Sequence, residues 1–171
     1  MKYAGIGSRE TPDNILKIMK LCGLVLAKRG WHLHTGNCTG ADQAFASGAN
    51  EIDAAMVSLW LPWPSYELEA INAKNIVHKE PTEDAMKLAE QFHPKWEACK
   101  RGGRSLHARN MHIILGKTLD EPVDMIICWT KNGLKTGGTS QALRLAENKS
   151  IKVYNLAIED DILQLKKEHY A

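Results

Sequence analysis

Residues 123–156 read VDMIICWTKNGLKTGGTSQALRLAENKSIKVYNL: an apolar run, a loop with paired glycines, a stretch rich in Ala and Leu, and a second apolar run. Met125 to Trp129 is short, continuous and apolar, the pattern of a strand covered on both faces of a parallel sheet. Gly137 and Gly138 then open a helix. Backbone N–H groups at a helix start have no intrahelical acceptor and lie at the positive end of the dipole, so a glycine loop there lets an anion approach closely. Thr136, Thr139 and Ser140 add hydroxyls at the same place. The stretch predicts a strand, a phosphate-binding loop, a helix and a returning strand over Ile151 to Leu156.

Working outward, the same unit recurs upstream. A strand over Lys2 to Ile6 leads into Gly7-Ser8-Arg9-Glu10, after which Thr11 suits a helix cap and Pro12 a first helical position. Ile15, Ile18, Met19, Cys22, Val25 and Leu26 recur at helical spacing, and Arg29-Gly30 is a stop signal. Trp31 to His34 predicts a second strand, Thr35 to Gly40 a second small-residue loop, and Ala41 to roughly Asn50 a second helix. Val57 to Trp63 resembles a third strand, stopped by Pro62 and Pro64, and Ser65 to Pro81 reads as a polar surface excursion.

Thr82 caps a helix running to Phe92, with Ala85, Leu88, Ala89 and Phe92 on its buried side, and His93-Pro94 breaks it. Arg101-Gly102-Gly103 reads as a turn before a helix over Ser105 to Leu115, and Glu159 to His169 as a closing helix. Alternating β and α segments without hairpin signals predict one α/β domain over residues 1–171, a three-layer Rossmann-like open parallel sheet with helices on both faces. In such sheets ligands sit beyond the carboxyl ends of the strands, where the winding direction switches. All three small-residue loops follow strands and can converge there.

Composition limits the function classes. The chain has 171 residues, 44% hydrophobic, and a formal net charge of +2, too mild to serve as the electrostatic signature of a polyanion binder and neither excluding nor suggesting such a partner. Cys22, Cys38, Cys99 and Cys128 fall in segments read as helix, loop, helix and strand, not in the close pairs of a zinc ribbon or disulfide framework, which points to reduced thiols in a cytoplasmic protein. The amino terminus runs straight into a strand without a signal-peptide core, and no apolar stretch is long enough to cross a bilayer, so no membrane partner is expected.

The candidate site residues lie in the loops and in one helix. Gly7, Ser8 and Arg9 offer a tight turn, a hydroxyl and a guanidinium for a phosphate. As a dinucleotide fingerprint Gly5-Ile6-Gly7 is incomplete, because the third glycine is missing. Thr35, Gly36 and Gly40 form the second loop, and Asp42 near the following helix start either satisfies the helix dipole, bonds a ribose hydroxyl, or stabilises charge on a sugar. His107, Arg109 and Asn110 share one helical turn. They read either as a solvated helix edge or as a phosphate clamp in which Arg109 stabilises a transition state and His107 has a pKa suited to proton transfer. His32 and His34 point to one face of a strand, but no third ligand stands at a recognisable spacing, so neither a metal nor another cofactor is expected. Trp60, Trp63 and Trp129 sit near strand ends, fitting core or rim packing, or a stacking platform for a base.

Gly5-Ile6-Gly7-Ser8-Arg9, Thr35 to Asp42 and Thr136 to Ala146 together resemble the Rossmann-like superfamily that contains DNA-processing protein A and the Lonely Guy phosphoribohydrolases. The first half is more similar to the DNA-processing branch, and His107-Ala108-Arg109-Asn110 resembles the His-x-Arg-Lys helix of the Lonely Guy branch, with Asn110 in place of the lysine. The whole pattern, including His93-Pro94 and Ile127-Cys128-Trp129-Thr130, is similar to small uncharacterised phage and bacterial members. The resemblance implies a Rossmann-like fold, a nucleotide or nucleotide-derived ligand held by Thr136, Gly137, Gly138 and Thr139, and frequent homodimers. One departure bears on chemistry: the hydrolytic glutamate that follows the Gly-Gly loop in Lonely Guy enzymes is replaced here by Gln141 and Ala142, with Arg144 nearby. Glu10 and Asp42 are then the carboxylates left for N-glycosidic cleavage of a nucleoside monophosphate, with Arg109. Three functions follow: a nucleotide-binding protein with or without that hydrolysis, a single-stranded DNA-binding module, and a non-catalytic nucleotide sensor or sponge.

Overall fold

The computed structural model describes residues 1–170. Six strands form a single parallel sheet in the order β4-β3-β2-β1-β5-β6: β1 Lys2–Gly5, β2 His32–Thr35, β3 Val57–Trp60, β4 Ile76–His78, β5 Met125–Cys128 and β6 Lys152–Asn155. The helices between them are α1 Asp13–Lys28, α2 Ala41–Asp53, α3 Glu83–Phe92, α4 Arg101–Leu115, α5 Ser140–Asn148 and α6 Glu159–His169. This is the α/β Rossmann-like architecture that the alternating pattern predicts.

The period-2 alternation of strand side chains divides the core in two. Tyr3, Leu33, Met125 and Ile127 point to one face and pack with Phe45 of α2, Met19 of α1 and Leu165 of α6. Ala4, Ile126 and Cys128 point to the other and meet Ala108 and Met111 of α4 and Leu145 of α5. The strands pair in tight register, Tyr3 opposite Leu33 on one side and opposite Met125 on the other. The sheet grows from β1 toward β2, β3 and β4, then restarts beside β1 with β5 and β6. The direction of winding therefore switches between the carboxyl ends of β1 and β5.

Five local expectations change. The stretch Ser65 to Pro81 is not only a surface excursion, since its residues Ile76–His78 form edge strand β4, paired with β3 through Ser58–Ile76 and Trp60–His78. Three half-buried or exposed residues between polar neighbours carry no usable period. The third strand ends at Trp60 rather than Trp63, although Leu61 N still donates to His78 O at 2.9 Å. Helix α4 begins at Arg101, so Gly102 and Gly103 are helical rather than a turn. Thr11 does not cap α1: its hydroxyl turns back to donate to Ser8 O at 2.5 Å, and Pro12 holds the cap position. Thr82, in contrast, caps α3 by accepting from Ala85 N at 3.2 Å. All four cysteines are free thiols, and Cys99 follows a single 3₁₀ turn instead of lying in a helix. No helix among the described residues is long and apolar enough to cross a membrane.

Candidate functional site

Beyond the end of β1 the backbone continues alongside β5, with Ile6 N donating to Ile127 O at 3.1 Å and Ser8 N to Trp129 O at 3.3 Å. Gly7 sits where α2 begins, and a Cβ there would fall 2.6 Å from the methyl of Ala41, so a side chain would push the two apart. The Ser8 hydroxyl accepts from Glu10 N at 3.1 Å and closes the turn. Arg9 then reaches over the second loop, donating from Nε to Cys38 Sγ at 3.3 Å and from Nη2 to Tyr66 Oη at 3.4 Å.

The second loop is built inward rather than outward. Thr35 is buried, and its hydroxyl donates to Gly5 O at 2.6 Å, tying β2 to β1 at the switch point. Asp42, in the first turn of α2, accepts from Cys38 N at 3.2 Å. It also takes a backbone hydrogen bond from Gly36, and across the sheet it faces Arg109 Nη2 at 3.9 Å.

Arg109 is 6% exposed, so its helix turn is not a solvated edge. Nη1 donates to Gly36 O and, at 3.2 Å, to Trp60 O, while Nε donates to Asn110 Oδ1 at 3.0 Å. The guanidinium thus braces α4 against the carboxyl ends of β2 and β3, and it lies 5.8 Å from the Tyr66 ring centroid. Only Nη2, beside Asp42, keeps hydrogens to offer a ligand, since a guanidinium has five.

Burial pushes the Asp42 carboxyl up to about 6, against the opposing pull of Arg109 and the Cys38 N–H. A raised folded-state pKa means that the protonated form is favoured by folding. The stabilisation is complete below the unfolded value near 3.8 and is lost as pH rises through about 6. At 1.36 kcal/mol per unit, this group removes about 3 kcal/mol between those limits. Urea unfolding from pH 4 to 7 should therefore show a downward slope that Asp42→Asn flattens. Equal slopes in the two proteins would discard this assignment.

The third loop and α4 close the far wall. Gly138 and Thr139 face the crevice, as do His107 and Asn110. Thr136 and Gly137 are exposed and lie outside the lining, with Gly137 at φ 73 shaping the turn and its carbonyl accepting from Ser140 Oγ at 2.7 Å. Burial lowers the His107 pKa, and the neighbouring His93 lowers it further, so its ring is neutral near pH 7. Its Nδ1 is buried beside the Gln141 side chain, without an ideal hydrogen bond.

The resulting cleft has a volume of about 360 Å³, within the range of small-molecule sites. It brings together Gly7, Ser8, Arg9, Asp42, His107, Arg109, Asn110, Gly138 and Thr139 of the predicted set. Thr35, Gly36 and Gly40 stand behind the lining as support, and Glu10 is exposed outside it, leaving Asp42 as the carboxylate in the cleft. The residues that stand where the resemblance to Lonely Guy enzymes implies a glutamate are packed away: Gln141 is fully buried and donates to Ala89 O at 2.7 Å, while Arg144 donates to Phe92 O at 3.0 Å. Sequence reasoning missed Ile6, Cys38, Gly103 and Leu106 as lining residues. For Gly103 a signal existed, since small residues at a helix start after a break mark the other two loops as well.

His32 and His34 are engaged elsewhere. His32 Nε2 lies 2.8 Å from Ser58 Oγ and His34 Nδ1 lies 3.2 Å from Ile113 O. Trp60 is core, stacked between His78 at 3.6 Å and His112 at 5.1 Å, and Trp63 is at the rim, 36% exposed.

No family model matches the sequence, and no curated protein matches it either. Solved structures do. DNA processing protein A from Helicobacter pylori, described for its single-stranded DNA binding mode, aligns over 100% of this chain and 74% of its own, with 18% identity and a TM-score of 0.61. The Moco carrier protein of Chlamydomonas rheinhardtii aligns over 98% of this chain and 83% of its own, with 16% identity and a TM-score of 0.54. At these identities the likeness is one of fold. It places the chain among Rossmann-like α/β proteins of the architecture found in DNA processing protein A.

Proposed function

We propose that the β1/β5 cleft binds a phosphate-bearing nucleotide or nucleotide-derived molecule. The observation that carries this reading is the convergence of two glycine turns, Gly7-Ser8-Arg9 and Gly138-Thr139, on one crevice at the winding switch point. The phosphate takes the Gly138-Thr139 side, where α5 begins, and Arg9 at the mouth supplies a flanking charge. Hydrolysis of the N-glycosidic bond, the activity suggested by the resemblance to Lonely Guy enzymes, would depend on Asp42, because Glu10 lies outside and Gln141 and Arg144 are turned toward α3. With that glutamate replaced, binding is the primary reading and hydrolysis secondary. A homodimer is likewise an inference from the resemblance alone.

A second reading is single-stranded nucleic acid on the same face. The fold shared with DNA processing protein A favours it. Salt separates the two, since a strand held by many phosphate contacts loses about 10³-fold or more in affinity between roughly 50 and 200 mM salt, and a mononucleotide far less.

Gly138→Asp tests the primary reading cleanly. A Cβ at Gly138 meets nothing within 4 Å, so the variant folds with an unchanged Tm while placing a carboxylate where the phosphate sits. Titration of nucleoside mono- and diphosphates is expected to show at least a roughly tenfold weaker Kd, about 1.4 kcal/mol. Unchanged affinity would remove the third loop from the site. Free base released by the wild type and not by Asp42→Asn would establish the hydrolysis, and its absence from both would leave a binding protein.

A further inference from the structure

Beside the cleft, three side chains with metal-ligating atoms converge from separate elements. His93 closes α3, Cys99 follows the 3₁₀ turn Trp96–Ala98, and His107 lies in the second turn of α4. One ligand atom of each, two imidazole nitrogens and a thiol sulfur, lie within 4.8 Å of one another. Cys99 Sγ is 3.6 Å from His93 Nε2 and 3.8 Å from His93 Nδ1, and the His93 and His107 ring centroids are 4.5 Å apart. Zinc bonds of about 2.3 Å to sulfur and 2.0–2.1 Å to nitrogen would set the two atoms about 3.5 Å apart in a tetrahedron. The observed separation fits with side-chain adjustment alone.

The case for a metal rests on the ligand atoms themselves, which converge without a strong hydrogen bond joining them. His107 Nδ1 is buried and has only the Gln141 side chain beside it, without an ideal hydrogen bond. His93 is oriented by a backbone bond, Lys95 N to Nδ1 at 3.2 Å. The three nearby guanidiniums donate to backbone carbonyls, Arg104 to Trp96 O at 3.3 Å, Arg144 to Phe92 O at 3.0 Å, and Arg109 to Gly36 O and Trp60 O. His32 and His34, the pair that sequence spacing singles out, face other partners.

We propose that His93, Cys99 and His107 form a three-ligand site for a borderline-soft divalent metal, zinc above all, whose fourth position borders the cleft. Three protein ligands with one open position is the arrangement of reactive rather than purely structural zinc sites. His107 belongs to both the cluster and the cleft lining, so the open position is available to water or to an oxygen of a cleft ligand. This inference does not depend on the nucleotide reading, because metal binding is measured without any cleft ligand.

Cobalt(II) is the probe, since its tetrahedral thiolate complexes absorb where the free ion does not. The untagged full chain, stripped with chelator, should bind one cobalt per chain, show a thiolate-to-cobalt charge-transfer band, and lose that band on addition of zinc. Cys99→Ser should abolish the band, His107→Gln should keep it while weakening binding about tenfold or more, and His32→Gln should change neither. If the wild type shows no band, or if Cys99→Ser titrates like the wild type, the site is overturned. Should Cys99→Ser fail to fold, the wild-type spectrum and the His93→Gln titration decide the matter on the same terms.

Discussion

Arg109→Ala is expected to cost about 3–5 kcal/mol of stability, the range for removing one partner of a buried ion pair. The loss has three parts. The Asp42 carboxylate is left buried without its cation, and the carbonyls of Gly36 and Trp60 lose their donor. The pH dependence identifies the cause. Without Arg109 the Asp42 pKa rises further, so the penalty shrinks where Asp42 is protonated and is larger at pH 8 than at pH 5. Urea unfolding at both values measures it. A penalty independent of pH would show that packing, not the stranded carboxylate, dominates. Arg109→Lys should recover little, because a single ammonium cannot span Gly36, Trp60 and Asn110 as the planar fork does.

Gly48→Ala should be nearly as damaging, at about 3 kcal/mol, the upper end for overpacking. Helices α1 and α2 cross through Gly23 and Gly48. A Cβ at Gly48 would run into the Lys20 carbonyl oxygen, and one at Gly23 into that of Phe45. Both obstacles are backbone and cannot rotate away. Helix propensity alone argues the other way, since alanine is favoured over glycine by about 1 kcal/mol in a helix interior. The sign of the change in Tm therefore decides between the two, and a stabilised variant would mean that the helices do not pack this closely. The site would register the damage too, because α2 carries Asp42 in its first turn.

How much of this was legible depended on whether a signal was local. The strands β1, β2 and β5 announce themselves as short runs ahead of small-residue loops and β6 as the returning strand, and α6 matches its predicted span, with acidic residues in its first turn and basic ones in its last. Strand β4 did not, since Ile76–His78 is defined by pairing with β3 and not by any pattern of its own. The start of α4 was misread because Gly102-Gly103 is a turn signal in sequence, and packing of the helix overrides it. The loops were found by their glycines, but their inner division was hidden: nothing in Thr35-Gly36 indicates that its polar groups face β1 and Arg109 instead of a ligand. Arg109 was singled out for its chemistry, and its burial could not be foreseen without knowing which face of α4 meets the sheet. Cys99 and His93 went unnoticed as a pair because a helix break lies between His93 and the turn that returns Cys99 to it.

The order of the strands has one more consequence. The chain leaves β4 at one edge of the sheet, and α4 must carry it back across β3 and β2 before β5 can be laid beside β1. That return journey is also what builds the cleft, for the contacts that hold its wall, Arg109 to Gly36 and to Trp60, join residues 73 and 49 positions apart. Loop closure over such distances must precede any reward from the contacts. A nascent chain that has emerged only through β4 already possesses two of the three glycine loops, yet has nowhere to hold a ligand. The cleft is therefore completed only in the last half of the molecule, once β5 lies beside β1 and the start of α5 supplies Gly138 and Thr139.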